Sequence, residues 1–120
     1  MKKRICVLED DEGIRDIITI ILSEENYDVQ SFQNINEFMK RNQYELTDLF
    51  LLDVMLPDGN GMDVCNSLKK EDHTRLIPVI MMSANFNELQ IRTACEAKGF
   101  VAKPFEIDSF LHQISTAIKN

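Results

Sequence analysis

The chain has 120 residues, of which 44% are hydrophobic and 28% charged, and its formal net charge is −7 at pH 7. This length and composition predict one globular domain that can bury a core without disulfides or metals. The acidic balance argues against polyanionic partners, so we expect no nucleic-acid binding and no adhesion to a membrane. No apolar run is long enough for a membrane span, and the basic start leads into a strand and not into a signal peptide.

The cysteines and histidines give no sign of a metal or redox site. Cys6, Cys65 and Cys95 are odd in number and lie far apart on apolar positions, which is typical of buried thiols in a cytoplasmic protein. His73 and His112 have no partners at metal-ligand spacing, so we expect ordinary surface or helix-end histidines. These residues favour a cytoplasmic location.

Strand and helix patterns alternate along the chain. Apolar runs predict five strands, at residues 3–8, 27–32, 49–53, 78–82 and 100–102. Apolar residues at helical spacing, and caps such as Asn34 or Asn36 for a weak second helix, predict five helices over about residues 13–25, 34–42, 61–70, 86–96 and 106–118. Five β–α units with short connections predict a parallel sheet with helices on both faces.

Acidic, basic and hydroxyl side chains stand at the carboxyl ends of four of these strands. Asp10 and Asp11 follow the first strand, and Asp53 ends the third. Ser83 follows the fourth strand and Lys103 the fifth. Right-handed crossovers bring the carboxyl ends of parallel strands to one edge of the sheet, so we expect these side chains to converge.

The charges of such a cluster favour the binding of a metal ion. Three carboxylates and one ammonium leave an excess of negative charge, which is unfavourable unless a cation neutralises it. Mg²⁺ fits, because it is a hard ion that takes oxygen ligands from carboxylates, waters and phosphate groups. The residues therefore predict a Mg²⁺-assisted phosphoryl acceptor with Asp53 as nucleophile. Lys103 would offset phosphoryl charge, and the Ser83 hydroxyl would donate to a phosphoryl oxygen.

Four short motifs at the strand ends resemble those of the receiver domains of two-component response regulators, the CheY-like family. They are LEDDE at 8–12, LDVMLPDGNG at 52–61, MMSA at 81–84 and FVAKPF at 100–105. The resemblance spans essentially the whole chain. It implies a doubly wound, flavodoxin-like α/β fold with a five-stranded parallel sheet in the order 2-1-3-4-5. It also implies one receiver domain over residues 1–120, without an output domain.

The resemblance also implies a role for each acid. Asp53 would be the phosphorylated residue. Asp11 and Asp53 would bind Mg²⁺ directly, together with the backbone carbonyl of Met55. Asp10 would act on the metal mainly through water.

The same resemblance implies a switch. Ser83 would hold the hydroxyl position and Lys103 the lysine position, with a cis bond between Lys103 and Pro104. Phe100 would be the switch aromatic, here without the hydroxyl of a tyrosine, and would turn inward when the loop after the fourth strand moves towards the phosphoryl group. Glu96 departs from the family, which often has a glycine there, so that connection would differ locally.

The implied function is that of a phosphorelay acceptor. It would take a phosphoryl group from a histidine kinase or a phosphotransfer protein and signal to an effector protein in trans, without turning over a separate substrate. The surface of the fourth helix, fifth strand and fifth helix would face that effector.

Other classes of protein also use this kind of fold. A haloacid-dehalogenase-like phosphohydrolase would need an Asp-x-Asp on the first strand and a cap domain, and a flavodoxin-like FMN carrier would need a Ser/Thr/Gly-rich phosphate loop where this chain has acids. A pseudo-receiver, which binds proteins without phosphorylation, remains the main alternative, because intact acceptor residues do not prove that they are used.

Overall fold

Strands and helices alternate as predicted in the computed structural model, which describes residues 2–84, 89–91 and 95–119. The strands, in chain order, are β1 (Arg4–Leu8), β2 (Asp28–Phe32), β3 (Leu49–Asp53), β4 (Met55–Leu56), β5 (Gly59–Asn60), β6 (Val79–Ser83) and β7 (Gly99–Ala102). Five of them form a parallel sheet in the order β2-β1-β3-β6-β7. Counted along the chain without the small β4–β5 pair, this is the predicted order 2-1-3-4-5.

The helices that the structure describes in full are α1 (Glu12–Glu24), α2 (Ile35–Met39), α3 (Gly61–Lys70) and a C-terminal helix (Ile107–Lys119). Residues 89–91 are helical, while 85–88 and 92–94, which complete most of the predicted fourth helix, lie outside the described residues. Within the described part of the chain, none of the helices combines the length and the apolar character that a membrane crossing requires.

Polar side chains begin three of the helices. Asp11 accepts a hydrogen bond from the Ile14 amide at the start of α1, and Asn60 accepts one from the Met62 amide at the start of α3. Asn34, and not Asn36, caps α2. These side chains satisfy backbone N–H groups that have no partner within the first turn of a helix.

Helix α2 is shorter than the sequence predicted. It ends at Met39, and Lys40 is its C-cap. Two residues later the Arg41 guanidinium lies 4.4 Å from the centre of the Phe38 ring and donates to the Phe38 carbonyl. The Arg41 amide donates to the same carbonyl at 3.1 Å, which is the tighter bonding typical of the last turn of a helix.

Each face of the sheet has its own core. Strand β3 is buried along its whole length, as its continuous apolar run predicted. Alternate strand residues point to opposite faces, so Ile5 and Val7 lie in one buried cluster while Cys6 and Leu8 lie in the other. Ile14, Ile17 and Ile21 recur at helical spacing, which predicts that all three share the inward stripe of α1, but Ile17 is 53% exposed, so that part of the prediction is wrong.

A glycine allows the chain to pass close to the end of β3. The Gly61 amide donates to the Val54 carbonyl at 2.8 Å. A Cβ atom at Gly61 would lie 1.9 Å from the carbonyl oxygen of Asp53 and 3.3 Å from Met81. Only a residue without a side chain fits there, so the position of the Asp53 backbone depends on Gly61.

We expect Gly61→Ala to lower the free energy of unfolding by about 3 kcal/mol, because the backbone must move to relieve the overlap. Urea denaturation would measure it, with Ser67→Ala on the exposed side of α3 as the control. Equal stability of the two variants would show that the Asp53 backbone does not limit residue 61.

Candidate functional site

Polar residues from β1, β3 and β7 meet at the carboxyl edge of the sheet. Asp53 is the last residue of β3, Glu9 follows β1, and Lys103 follows the last residue of β7. The Lys103 amide donates to the Ser83 carbonyl at 3.0 Å, which extends the pairing of β6 with β7 to the site. The expected convergence of strand ends is therefore present for Asp53 and Lys103.

Lys103 lies at the centre of the site. Its Nζ is 3.0 Å from Oδ2 of Asp53 and 2.6 Å from Oε1 of Glu9. Burial by itself lowers the pKa of Lys103, but the hydrogen bonds to Glu9 and Asp53 outweigh it, so the pKa is raised. One permanently charged ammonium therefore joins two buried carboxylates.

Glu9 is the functional residue that the sequence reasoning missed. It is fully buried, and burial, reinforced by the charge of Asp53, raises its pKa to about 7 although Lys103 and the Asp11 amide oppose the rise. Two signals could have identified it. Glu9 directly follows Leu8, the last residue of β1, and Asp11 is needed three residues before Ile14 as the cap of α1.

The acidic cluster consists of Glu9, Asp10 and Asp53. One carboxylate oxygen from each lies within 4.8 Å of the other two, in a search of the described residues. Asp11, which was expected to bind metal directly, instead uses Oδ1 to accept from the Ile14 amide at 2.9 Å. The pair that accompanies Asp53 is therefore Glu9 and Asp10, and not Asp10 and Asp11, because the helix begins at Glu12 and takes Asp11 as its cap.

The remaining predicted residues surround this cluster. Met55 pairs with Asn60 in the β4–β5 hairpin, two residues beyond Asp53, and its side chain is exposed. Ser83 is buried at the end of β6. The metal role of the Met55 carbonyl and the hydroxyl role of Ser83 stay predictions.

Phe100 lies in the core in this structure. It is 8% exposed, pairs with Met81 across β6 and β7, and belongs to the buried cluster that includes Cys65 of α3. Its switch role stays a prediction, and residues 85–88 of the loop expected to move lie outside the described residues. The Lys103–Pro104 bond is cis, as the resemblance implied.

We expect Glu9→Gln to change how stability depends on pH. The pKa of Glu9 is about 7 in the folded protein against an ordinary value of 4.5, so its stabilising contribution is complete below pH 4.5 and is lost as the pH rises through about 7. Glutamine does not titrate, so the variant should gain about 2 kcal/mol relative to the wild type between acidic and mildly alkaline pH. Chemical denaturation across that range measures the difference.

Glu24→Gln, at the exposed end of α1, is the control. It should follow the wild-type curve. If Glu9→Gln follows that curve too, Glu9 does not carry a raised pKa.

Comparison with known proteins identifies the family of this chain. The model of the response regulator receiver domain family matches residues 5–115. The non-phosphorylated HemR receiver domain from Leptospira biflexa is 30% identical, with a TM-score of 0.88 over 99% of this chain and 96% of that one. The BeF3-activated receiver domain of DrrB, a protein of Thermotoga maritima, is 25% identical, with a TM-score of 0.87 over 100% of both chains.

The chemotaxis response regulator CheY4 of Vibrio cholerae shares the fold at 19% identity, with a TM-score of 0.89 over 98% of this chain and 99% of that one. The family match extends from β1 into the C-terminal helix and includes the Glu9–Asp53–Lys103 cluster. This chain belongs to the response regulator receiver domain family.

Proposed function

We propose that this receiver domain accepts a phosphoryl group on Asp53 from a histidine kinase or phosphotransfer protein, and passes the signal to an effector protein in trans. The observation that carries the proposal is the Lys103 ammonium, which joins the carboxylate of Asp53 to Glu9 beside Asp10. The carboxylate of Asp53 lies at a strand end, is held by a cation and stands beside further acids that can bind a metal ion. This arrangement suits a residue that accepts a phosphoryl group.

Each side chain has a role in this transfer. Lys103 binds Oδ2 of Asp53 at 3.0 Å, so we assign Oδ1 as the attacking oxygen. As the new bond from Oδ1 to phosphorus forms, the bond from phosphorus to the donor breaks and the donor leaves with its electron pair. The ammonium of Lys103 offsets the charge on the phosphoryl oxygens, and we assign the Ser83 hydroxyl as a hydrogen-bond donor to one of them.

The donor set of the cluster fits Mg²⁺. Glu9, Asp10 and Asp53 offer hard carboxylate oxygens, and these three acids outnumber the Lys103 ammonium that bridges two of them. Asp10 is exposed, whereas both oxygens of Glu9 already accept hydrogen bonds, from Lys103 and from the Asp11 amide. Asp10 and Asp53 would therefore hold the ion, with Glu9 as a further partner. Bound there, Mg²⁺ would neutralise charge that develops on the phosphoryl oxygens.

The similarity to a receiver domain solved in a BeF3-activated form supports this proposal, because that structure belongs to a relative with the same fold. A pseudo-receiver that only binds proteins is the other candidate. It predicts an intact fold without phosphorylation, so a labelling experiment separates the two. We propose no turnover of a separate substrate.

We expect incubation with acetyl phosphate and Mg²⁺ to add one phosphoryl group to the wild-type protein and none to Asp53→Asn, because the amide is not a nucleophile. Intact-mass spectrometry measures the addition. Asp63→Asn, in the exposed first turn of α3, is the control and should be labelled like the wild type. Labelling of Asp53→Asn would move the acceptor to another residue, and an unlabelled wild type would favour the pseudo-receiver.

We expect Asp10→Asn to weaken Mn²⁺ binding by at least about tenfold, since even groups that only orient ligands contribute that much. Asp11→Asn should retain wild-type affinity, because asparagine also caps helices well and leaves α1 in place. Titration of Mn²⁺ followed by water-proton relaxation gives both affinities. A larger loss in Asp11→Asn would restore Asp11 as the ligand and remove Asp10 from that role.

A further inference from the structure

Arg15 contacts the backbone of the acidic cluster from the first helix. Its Nη1 donates to the Glu9 carbonyl at 2.9 Å and to the Asp10 carbonyl at 3.3 Å. These are the carbonyls of the two residues whose side chains join Asp53 in the cluster. Arg15 itself is half-buried, and its backbone belongs to α1. A single nitrogen therefore bridges two successive peptide units of the loop.

Other hydrogen bonds fix the two ends of the same loop. The Glu9 amide donates to the Phe32 carbonyl at 3.0 Å, which ties the start of the loop to β2. The Asp11 amide donates to Oε2 of Glu9 at 3.1 Å, and the Arg15 amide donates to the Asp11 carbonyl at 2.9 Å. The guanidinium of Arg15 holds the part of the loop between these two ends, through the Glu9 and Asp10 carbonyls.

We propose that Arg15 is a positioning residue for the divalent cation of this site. The inference rests on the proposed function, because it assumes that Glu9, Asp10 and Asp53 hold that cation. By holding both carbonyls on one nitrogen, Arg15 fixes the relative orientation of the Glu9 and Asp10 peptide units. Those units set the direction of the two side chains, so the carboxylates are already arranged when the ion arrives.

The charge of Arg15 and its positioning of the loop would change the affinity for the metal ion in opposite directions. Arg15 is a permanent cation close to a cation site, so its charge by itself disfavours metal binding. If charge were its only effect, removing Arg15 would strengthen binding. If it positions the loop, removing it weakens binding although the site becomes more negative. The sign of the change in affinity therefore separates the two roles.

The experiment compares Mn²⁺ affinity, measured by water-proton relaxation, in the wild type, Arg15→Met, Arg15→Lys and Arg75→Met. Arg75 is exposed and pairs with Asp72 beyond α3, so Arg75→Met changes the net charge equally without touching the loop. We expect a loss of about tenfold in Arg15→Met, the low end for groups that orient metal ligands. Arg15→Lys should fall between Arg15→Met and the wild type, because its ammonium keeps the charge but reaches less far.

Amide hydrogen exchange without metal provides the second measurement. The Asp11 amide depends on the position of the Glu9 carboxylate, so Arg15→Met should accelerate its exchange by about tenfold while the core strands keep wild-type protection. Unchanged or tighter Mn²⁺ binding in Arg15→Met, with normal binding in the wild type, would overturn the positioning role alone. A wild type that binds no Mn²⁺ would overturn the metal site and the positioning role together.

Discussion

The bridge from Lys103 to Glu9 and Asp53 is the interaction on which the site depends. Two carboxylates that are almost entirely removed from solvent cannot remain charged side by side without a cation. Glu9 follows β1, Asp53 ends β3 and Lys103 follows β7, so the two bonds join residues that are 94 and 50 positions apart in the sequence. The bridge therefore depends on the parallel pairing of β1, β3, β6 and β7.

The backbone around Asp53 is held as closely as its side chain. The next amide, that of Val54, donates to the Met82 carbonyl at 2.9 Å, and the Gly61 amide donates to the Val54 carbonyl at 2.8 Å. The β4–β5 hairpin fills the chain between these two points. The acceptor residue is thus fixed by β6 on one side and by the start of α3 on the other, so its carboxylate has a defined direction before any ligand binds.

The acids that follow the strands divide into two groups with different physical roles. Asp11 caps α1, and Asp58 accepts from the amides of Ile35 and Asn36 at the start of α2, both at 2.9 Å. Those backbone hydrogen bonds lower the pKa of Asp58. Asp58 therefore joins the hairpin beside the site to a helix. Glu9, Asp10 and Asp53 instead bring their carboxylate oxygens together at the site.

The sequence by itself determined the order of strands and helices, the buried character of β3 and the convergence of Asp53 with Lys103. Those features follow from periodicity, turn chemistry and the geometry of parallel strands, all of which are local or general. Only the tertiary structure decided that Glu9 joins Asp10 at the site, that Asp11 serves the helix and that Ile17 is exposed. Neighbouring acids look alike in sequence, and a residue on a helix can face either way, so distances to Lys103 and to the sheet were needed to separate them.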